Sequence, residues 1–352
     1  MSLRILFLGE NWYGSCARAC CYALRRLGCD VLDIDEQTYL PASRSMAVRL
    51  GRRLVSRWLI HSYNSAILDA TRHFRPQILF AFKGAFVRSE TLRVIREQGV
   101  RLYNYYPDRM LFVRGTLLQD SLPEYDCVFD TKRHWDGDTE CWMKLRSRVV
   151  VLHGYDPQVH CAPPPSDCDA SRYASDVSFV GNHSPRKQRI LQELARLLPE
   201  LNLKIWGDGW SRVQELTKFL QGWAPKGDQY ARIAAHSHIN LAIMGVTENA
   251  RDETTTRTFE IPACGGFMLH ERTPELLESY KEGKEVACFG SAEELADQIQ
   301  YYLAHPAERE AIARAGHAHC VPAYSYDNRV GEILCYYKSA AGIHTELGVG
   351  RN

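Results

Sequence analysis

The distribution of apolar residues along the chain predicts two consecutive sets of alternating strands and helices. In the first set, apolar runs that fit buried parallel strands lie at residues 4–9, 30–35, 77–82, 100–105, 127–130 and 149–152. Helical periodicity lies between them, at residues 16–27, 62–74 and 88–98. In the second set, strands are predicted at 176–181, 201–207, 239–244 and 267–270, and helices at 186–198, 230–235, 257–263, 274–280, 292–304 and 306–316. This order is typical of βαβ units that build a parallel sheet.

A proline-rich stretch at residues 161–166 (CAPPPS) separates the two sets, because consecutive prolines exclude both helix and central strand. We therefore predict an N-terminal Rossmann-like domain at 1–160, a C-terminal Rossmann-like domain at 161–335 and a C-terminal tail at 336–352. The predicted fold class is α/β, with two doubly wound domains that face each other across a cleft. Such sheets bind ligands at the carboxyl ends of their strands, so the cleft is the expected site.

Composition and charge exclude several classes of protein. The 43 basic and 42 acidic residues leave a net charge of +1, which argues against a protein that coats nucleic acid. No apolar run approaches the roughly 18 residues that span a bilayer, and the first ten residues fit a strand better than a signal peptide. The twelve cysteines include no Cys-x-x-Cys pair, so we expect reduced thiols, no metal site and a cytoplasmic location.

Two loops between a strand and a helix are candidates for binding an anion. The first contains Gly14 and Ser15 ahead of a helix whose N-terminus favours negative groups, although no dinucleotide fingerprint is present and a plain turn is the alternative. The second, at residues 181–189 (GNHSPRKQR), places cations in the first turn of a helix, where they oppose the helix dipole. A diphosphate would offset that cost, whereas the alternative is a solvated basic helix start.

The most informative segment is residues 252–271 (DETTTRTFEIPACGGFMLHE), in which a threonine cluster can cap the helix that follows. Glu260 lies among apolar neighbours, where a carboxylate can bind two vicinal hydroxyls such as those of a ribose. Arg257 lies three residues earlier on the same face, and a simple Arg–Glu helix pair is the alternative. Pro262 and the two glycines after the helix are costly for a purely structural element, which favours a binding site.

Residues 257–269 (RTFEIPACGGFML) resemble the signature of the CgeB-like (spore maturation protein) glycosyltransferases, which have the GT-B fold. Further similar stretches lie at 176–182, 203–210, 285–289, 292–296, 305–316 and 324–329. The linker at 153–160 is similar to the Asn-Gly-Val-Asp crossover of retaining family 4 glycosyltransferases. The resemblance covers most of 150–330, and in the first half it rests on 74–84 and 104–108.

This resemblance implies a UDP- or GDP-linked sugar donor held by the second domain, an acceptor held mainly by the first, no separate cofactor and no metal. The resemblance makes Glu260 the carboxylate that binds the donor ribose, and Arg186 and Lys187 the ligands of its diphosphate. The other predicted donor-binding residues are Gly14, Ser15, Gly181, Asn182, Gly207, Arg257 and Thr258. Asp108 and Glu10 are the catalytic candidates; Asp108 would deprotonate an acceptor in an inverting enzyme, and a turn residue is the alternative. Related families carry two glutamates separated by seven residues, whereas here Asp252 stands eight positions before Glu260, with Glu253 beside it.

The predicted function is transfer of a sugar to a hydroxyl of a glycan, a lipid-linked acceptor or a protein, as in the synthesis of surface polysaccharide, glycolipid or protein glycan. The alternatives are a non-catalytic coat or assembly protein of the same fold and a nucleotide-sugar epimerase. Residues 44–59 carry five arginines and no acid, with apolar residues four apart. Such a helix fits peripheral contact with the inner face of a membrane, or packing within the first domain.

Overall fold

The computed structural model describes residues 2–40, 46–108, 116–133, 143–163, 167–247 and 250–342. Within this part of the chain, the first half builds a parallel sheet of six strands, which lie side by side in the order of those that begin at residues 30, 4, 78, 101, 127 and 148. The second half builds another, in the order of the strands that begin at residues 287, 268, 237, 175, 203 and 220. Among the described residues, helices follow most of the strands in both halves. The predicted α/β class with two doubly wound halves is confirmed.

The first half consists of short strands and the helices that connect them. Its strands are β1 (Arg4–Gly9), β2 (Asp30–Asp35), β3 (Ile78–Phe82), β4 (Arg101–Tyr106), β5 (Cys127–Asp130) and β6 (Arg148–Val150). Its helices are α1 (Cys16–Arg26), α2 (Glu36–Tyr39), α3 (Met46–Phe74), α4 (Ser89–Glu97) and α5 (Leu118–Ser121), followed by a 3₁₀ turn at Leu122–Glu124.

The second half repeats this plan and ends in three long helices. Its strands are β7 (Ser175–Val180), β8 (Leu203–Trp206), β9 (Leu220–Gly222), β10 (Ser237–Ala242), β13 (Met268–Glu271) and β14 (Ala287–Phe289), with a small antiparallel pair of β11 (Val246–Thr247) and β12 (Ala250–Arg251). Its helices are α6 (Asp167–Tyr173), α7 (Pro185–Leu197), α8 (Gln229–His236), α9 (Thr256–Ala263), α10 (Pro274–Ser279), α11 (Ala292–Ala304), α12 (Pro306–Cys320) and α13 (Tyr326–Ala340). Two 3₁₀ turns lie at Trp210–Arg212 and Gln214–Phe219.

Strand β1 shows why the buried strands are continuously apolar. Ile5 and Phe7 are buried in one core, and Leu6 and Leu8 are buried in the core on the opposite face of the sheet. Because helices cover both faces, neither set of alternating side chains meets water. The first half of the chain therefore has a core on each side of its sheet.

Helix α13 returns to the first half although it ends the described chain. It packs against α1, and its residues Tyr326, Val330 and Ile333 are buried in the same core as Ile5 and Phe7. Arg26 of α1 also forms an ion pair with Asp327. The helix extends to Ala340, so the first five residues of the tail predicted at 336–352 are helical.

Two further expectations differ from the structure in extent. The helices predicted at 44–59 and 62–74 form the single helix α3, whose described backbone starts at Met46, so residues 44 and 45 lie outside the described part. Residues 164–166 of the proline-rich stretch also lie outside it. Among the described helices, none combines the length and the apolar character that crossing a bilayer requires.

Candidate functional site

A cleft of about 560 Å³ lies where the carboxyl ends of the two sheets face each other. The polar residues that line it are Glu10, Glu36, Lys83, Asp108, Thr116 and Lys132 from the first half, His153 from the linker, and Asp252, Thr255 and Thr256 from the second half. This is the location that ligands prefer in doubly wound sheets. Both halves therefore contribute charged groups to one cavity.

Glu260 lies beside this cleft in α9 and is only 4% exposed. It forms an ion pair with Arg257, and its Oε1 lies 3.6 Å from Nε2 of His160. Burial disfavours the charged carboxylate, but Arg257 and then His160 outweigh burial, and the pKa of Glu260 lies below its ordinary value. The carboxylate is therefore ionised at neutral pH.

Arg257 joins this carboxylate to the end of a central strand. Its Nε donates to the carbonyl oxygen of Val180 at 3.1 Å, and its guanidinium lies 4.2 Å from the centre of the Tyr230 ring. The Cys16 thiol is also affected by Glu260. Burial, followed by the negative charge of Glu260, raises the pKa of this thiol to about 12. Cys16 begins α1 and lines the cleft, whereas the described cleft lining includes neither Arg257 nor Glu260.

Lys187 is a partly buried cation in the first turn of α7. Its Nζ donates to the carbonyl oxygen of Asn182 at 3.4 Å, and it forms no ion pair with any carboxylate in the described ranges. Burial lowers the pKa of Lys187, and although Asp252 opposes that change, Arg257 and Arg186 lower the pKa further. This group of neighbouring cations at a helix N-terminus is an environment that favours an anion.

Arg186 is already bound by a carboxylate in the structure. Both of its terminal nitrogens contact Glu271, with Nη1 at 2.9 Å from Oε2, and Nη1 also donates to the Met244 carbonyl oxygen at 3.2 Å. It lines a second cavity, of about 300 Å³, with Arg189 at the carboxyl ends of β13 and β14. The described cleft lining does not include Arg186, and the assignment of Arg186 to a diphosphate stays a prediction.

Gly181 and Asn182 follow the carboxyl end of β7, and Gly207 follows that of β8. Gly207 has φ of 152°, and a Cβ atom there would lie 2.0 Å from the carbonyl oxygen of Gly181. Asn182 supports the same corner, because its Oδ1 accepts from the Asp208 amide at 3.1 Å. The two strand ends thus meet backbone to backbone, which only glycine at position 207 permits.

Thr258 is fully buried and stabilises the start of α9 rather than lining the described cleft. Its Oγ1 accepts from the Thr255 amide at 3.1 Å and lies 2.9 Å from Nε2 of His270. The helix begins at the predicted threonine cluster, and Thr255 is its N-cap residue.

The first loop has both a structural and a cleft-facing part. Ser15 is the N-cap of α1, since its Oγ accepts from the Arg18 amide at 3.1 Å and donates to the Glu10 carbonyl oxygen at 3.0 Å. Gly14 has φ of 93°, and a Cβ atom there would lie 2.7 Å from the backbone nitrogen of Gly227 in the second half. The Glu10 side chain lines the cleft and accepts from Gln37 Nε2 at 3.2 Å.

Asp108 also lines the cleft and forms an ion pair with Lys83. Lys83 directly follows β3 with φ of +67°, a conformation that is uncommon for a residue other than glycine. Strained residues of this kind cluster at functional sites. Asp108 is therefore placed at the site, with a cation as its partner.

The structure distinguishes the two acidic residues near position 252. Asp252 lines the cleft, where its Oδ1 lies 3.1 Å from Lys132 Nζ. Glu253 instead accepts from the Glu275 amide at 3.0 Å at the start of α10. Asp252 is thus the carboxylate that stands eight positions before Glu260 and faces the cavity.

Sequence reasoning did not identify Lys83, Lys132, His153, His160 or Tyr230. Lys83 and Lys132 follow β3 and β5 closely, so their position just after a strand was the signal that could have found them. His153 and His160 lie in the linker and are buried, and burial is the largest cause that lowers the pKa of each. Among the described residues, no group of three histidine, cysteine or acidic side chains is arranged to hold a metal ion.

Comparisons with known proteins cover different parts of the chain. A family model described as "Glycosyl transferase-like" matches residues 186–335. The spore protein CgeB of Bacillus subtilis is 22% identical over 170 residues, which is 44% of this chain and 51% of CgeB. The chain thus matches about half the length of this curated relative.

Several solved structures are similar along nearly the whole chain. Sucrose-phosphate synthase from Thermosynechococcus elongatus has a TM-score of 0.67 at 13% identity, over 97% of this chain and 100% of that one. HepE from Anabaena, in complex with UDP-glucose, has a TM-score of 0.62 at 14% identity, over 96% and 100%. A putative UDP-N-acetylglucosamine 2-epimerase from Listeria monocytogenes has a TM-score of 0.57 at 10% identity, over 98% and 98%.

These likenesses establish the fold of the whole described chain. The chain has the GT-B arrangement of two Rossmann-like halves, as predicted. The match of residues 186–335 to a glycosyl transferase-like family model agrees with the coarse part of the predicted family resemblance. The likeness to CgeB itself is partial.

Proposed function

We propose that the protein is a glycosyltransferase that moves a sugar from a nucleoside-diphosphate donor to an acceptor hydroxyl. The observation that carries this proposal is Lys187, a partly buried cation beside Arg257 that has no carboxylate partner within the described chain. A diphosphate would supply the missing negative charge at the N-terminus of α7. The glycosyl transferase-like match over residues 186–335 includes this helix turn and supports the same conclusion.

In this proposal, the second half binds the donor. Lys187 and the amides at the start of α7 bind the diphosphate and stabilise the charge that develops on it as the sugar leaves. Glu260 binds the ribose hydroxyls, and its ionised state suits it to accept their hydrogen bonds. Asp252 accepts from a hydroxyl of the sugar, and cations take the place that a metal ion holds in other transferases.

The first half would bind the acceptor, which we propose is a hydroxyl of a glycan, a lipid-linked sugar or a protein. Asp108 and Glu10 line that side of the cleft. Asp108 forms an ion pair with the Lys83 ammonium. Its carboxylate would have to leave this pair before it could deprotonate an acceptor hydroxyl. Holding donor and acceptor in line accounts for much of the rate that such a site can provide.

Incubation of the protein with a panel of UDP- and GDP-linked sugars tests this function. We expect slow release of the nucleoside diphosphate from one donor, faster when the correct acceptor is added. An epimerase would isomerise the sugar without releasing nucleotide, and a coat or assembly protein would leave every donor unchanged. Either of those results would refute the proposal.

We also propose that α3 makes peripheral contact with the cytoplasmic face of a membrane. Trp58 is 66% exposed and Val55 is 48% exposed on this helix, next to Arg57. A tryptophan beside cations is suited to the boundary of an anionic bilayer. Co-sedimentation should show binding to vesicles that contain anionic lipid and weaker binding by Trp58→Ser. Equal binding of the two proteins would refute the contact.

A further inference from the structure

Lys132 comes from the first half of the chain and reaches a loop of the second half inside the cleft. Its side chain is 3% exposed. Its Nζ donates to the carbonyl oxygen of Thr254 at 2.9 Å and lies 3.1 Å from Oδ1 of Asp252. Lysine is almost never buried without a partner, so this contact ties the carboxylate in the second half to a strand end in the first.

The backbone of Lys132 is fixed on both sides. Its amide donates to Oδ1 of Asp130 at 3.1 Å, and its carbonyl oxygen accepts from Arg148 Nη2 at 2.6 Å. Arg148 Nη2 also binds Oδ2 of the fully buried Asp130 at 2.6 Å. Since β5 and β6 hold these groups, the Lys132 side chain starts from a rigid base.

Asp252 is held from its own half as well. Its amide donates to the Gly245 carbonyl oxygen at 2.8 Å, and a side chain at Gly245 would meet Asp252 Oδ2 at 2.7 Å. The missing side chain at position 245 leaves room for the carboxylate. An ionised carboxylate offers about four acceptor sites, and Lys132 uses one of them.

We propose that Lys132 is a positioning residue that orients Asp252 toward a hydroxyl of the donor sugar when the two halves meet. This inference rests on the proposed transferase function and adds a role for the acceptor-side half in donor recognition. Lys132 acts on the sugar through Asp252, so it affects the binding of the complete donor. The nucleoside diphosphate alone lacks the sugar and does not depend on this contact.

The neighbouring residue provides a matched control. Arg133 also joins the halves, since its amide donates to Glu275 Oε1 at 3.2 Å and its Nε lies 3.6 Å from Glu278 Oε2. Its side chain is 45% exposed and does not line the described cleft. If activity depended only on side-chain contacts that join the halves, Arg133→Met would lower it as well. If activity depends on the orientation of the Asp252 carboxylate, only Lys132→Met lowers it.

The experiment compares steady-state donor turnover with the affinity for the nucleoside diphosphate. For Lys132→Met we expect kcat/KM for the sugar nucleotide to fall roughly ten- to hundredfold, with the larger part in KM. The Kd of UDP or GDP should stay the same, and Arg133→Met should change neither quantity. Lys132→Arg retains the cation and should recover part of the loss.

Asp252→Asn and the double variant complete the test. Because Lys132 acts through Asp252, the double variant should lose no more than Asp252→Asn alone. Additive losses, an equal loss in Arg133→Met, or an equal loss of UDP affinity in Lys132→Met would each overturn the inference. If Lys132→Met does not fold, kcat/KM for the sugar nucleotide and the Kd of UDP or GDP are compared in Lys132→Arg and Asp252→Asn instead, and a loss of UDP affinity equal to the loss of kcat/KM overturns the inference. A wild-type protein that releases no nucleotide would refute the transferase proposal instead, whereas active wild type with unchanged Lys132→Met refutes only the role of Lys132.

Discussion

Glu260 combines deep burial with a negative charge, which makes its substitution by glutamine informative. Glutamine retains the shape but removes the charge that Arg257 stabilises. Hydrogen bonds to charged groups are worth about 1.5–3 kcal/mol, so we expect the Kd of UDP or GDP to rise about ten- to hundredfold in Glu260→Gln. Isothermal titration calorimetry measures this change.

The control for Glu260 is an Arg–Glu pair with the same spacing on a helix surface. Glu193 pairs with Arg196 three residues later in α7, and its side chain is 35% exposed. Glu193→Gln should leave nucleotide affinity unchanged. If Glu260→Gln also bound UDP and GDP as wild type does, the pair in α9 would be structural and the ribose assignment would be wrong.

His270 is a second buried ionisable residue, and it predicts how stability depends on pH. Its Nδ1 donates to the Glu271 carbonyl oxygen at 2.6 Å, and Nε2 accepts from Thr258 at 2.9 Å. Burial lowers the pKa of His270 from 6.5 to about 4. The unfolded chain therefore binds a proton that the folded chain excludes, and stability falls as the pH drops from 6.5 to 4.

Over this pH range, His270 lowers the free energy of unfolding by about 3 kcal/mol, since each pKa unit corresponds to about 1.4 kcal/mol. Urea unfolding at pH 7 and pH 4.5 measures it. His153 and His160 also have lowered pKa values and act in the same direction. In His270→Gln the difference in free energy of unfolding between the two pH values should shrink. The same difference in variant and wild type would show that His270 does not titrate in this way.

At the scale of the element, the close approach of β7 and β8 at Gly207 is a strict requirement. In Gly207→Ala, the new Cβ would lie 2.0 Å from the Gly181 carbonyl oxygen. The colliding atom belongs to the backbone, so the strand ends must separate. Gly283→Ala provides the control, because Gly283 has φ of 73° but open space around its Cβ position. Backbone strain of this kind costs about 1–3 kcal/mol.

We expect Gly207→Ala to lower Tm more than Gly283→Ala does and to weaken nucleotide binding, because Gly181 and Asn182 lie at the displaced corner. Thermal unfolding followed by circular dichroism compares the two variants. Equal Tm values would mean that the corner accommodates a side chain and that Gly207 is not required for the approach of the strands.

The elements themselves were largely predictable because burial on two faces leaves a clear apolar run. Residues 4–9 and 127–130 show this, and the structure has both strands as predicted. The sequence predicts two helices where the structure has the single helix α3, because nothing in residues 59–62 indicates a helix that continues. The sequence does not predict β9 and β14, because each is only three residues long and too short to show a periodic pattern.

The sequence points to Glu260 and Lys187 because chemistry and local order coincide there, and their roles in donor binding stay predictions. The sequence could not show which carboxylate each cation binds, because those pairs join distant parts of the chain. Arg186 pairs with Glu271, 85 residues away, and Lys132 contacts Asp252 across the two halves. Such contacts depend on how the sheets face each other, which the order of strands alone does not specify.

At the scale of the whole molecule, the end of the chain stabilises its beginning. Tyr326, Val330 and Ile333 of α13 are each at most 1% exposed and share a core with β1 and α1. Burial of a side chain of this size contributes about 1.5–3 kcal/mol. Arg329 adds a polar tie, since its Nε donates to the His153 carbonyl oxygen at 3.2 Å.

A chain that ends at Ser325 should therefore lose the fold of its first half rather than that of its second. Limited proteolysis should cut the truncated protein within residues 1–150 first, and near-ultraviolet circular dichroism should weaken. A chain that ends at Gly342 retains the whole of α13 and is the matched control for the truncation. Because the cleft needs both sheets, the shorter protein should also lose donor turnover, whereas nucleotide affinity that resides in the second half should decrease less. Intact folding of the first half without α13 would mean that the first-half core is stable without the returning helix, and that the GT-B halves fold independently of the chain's return.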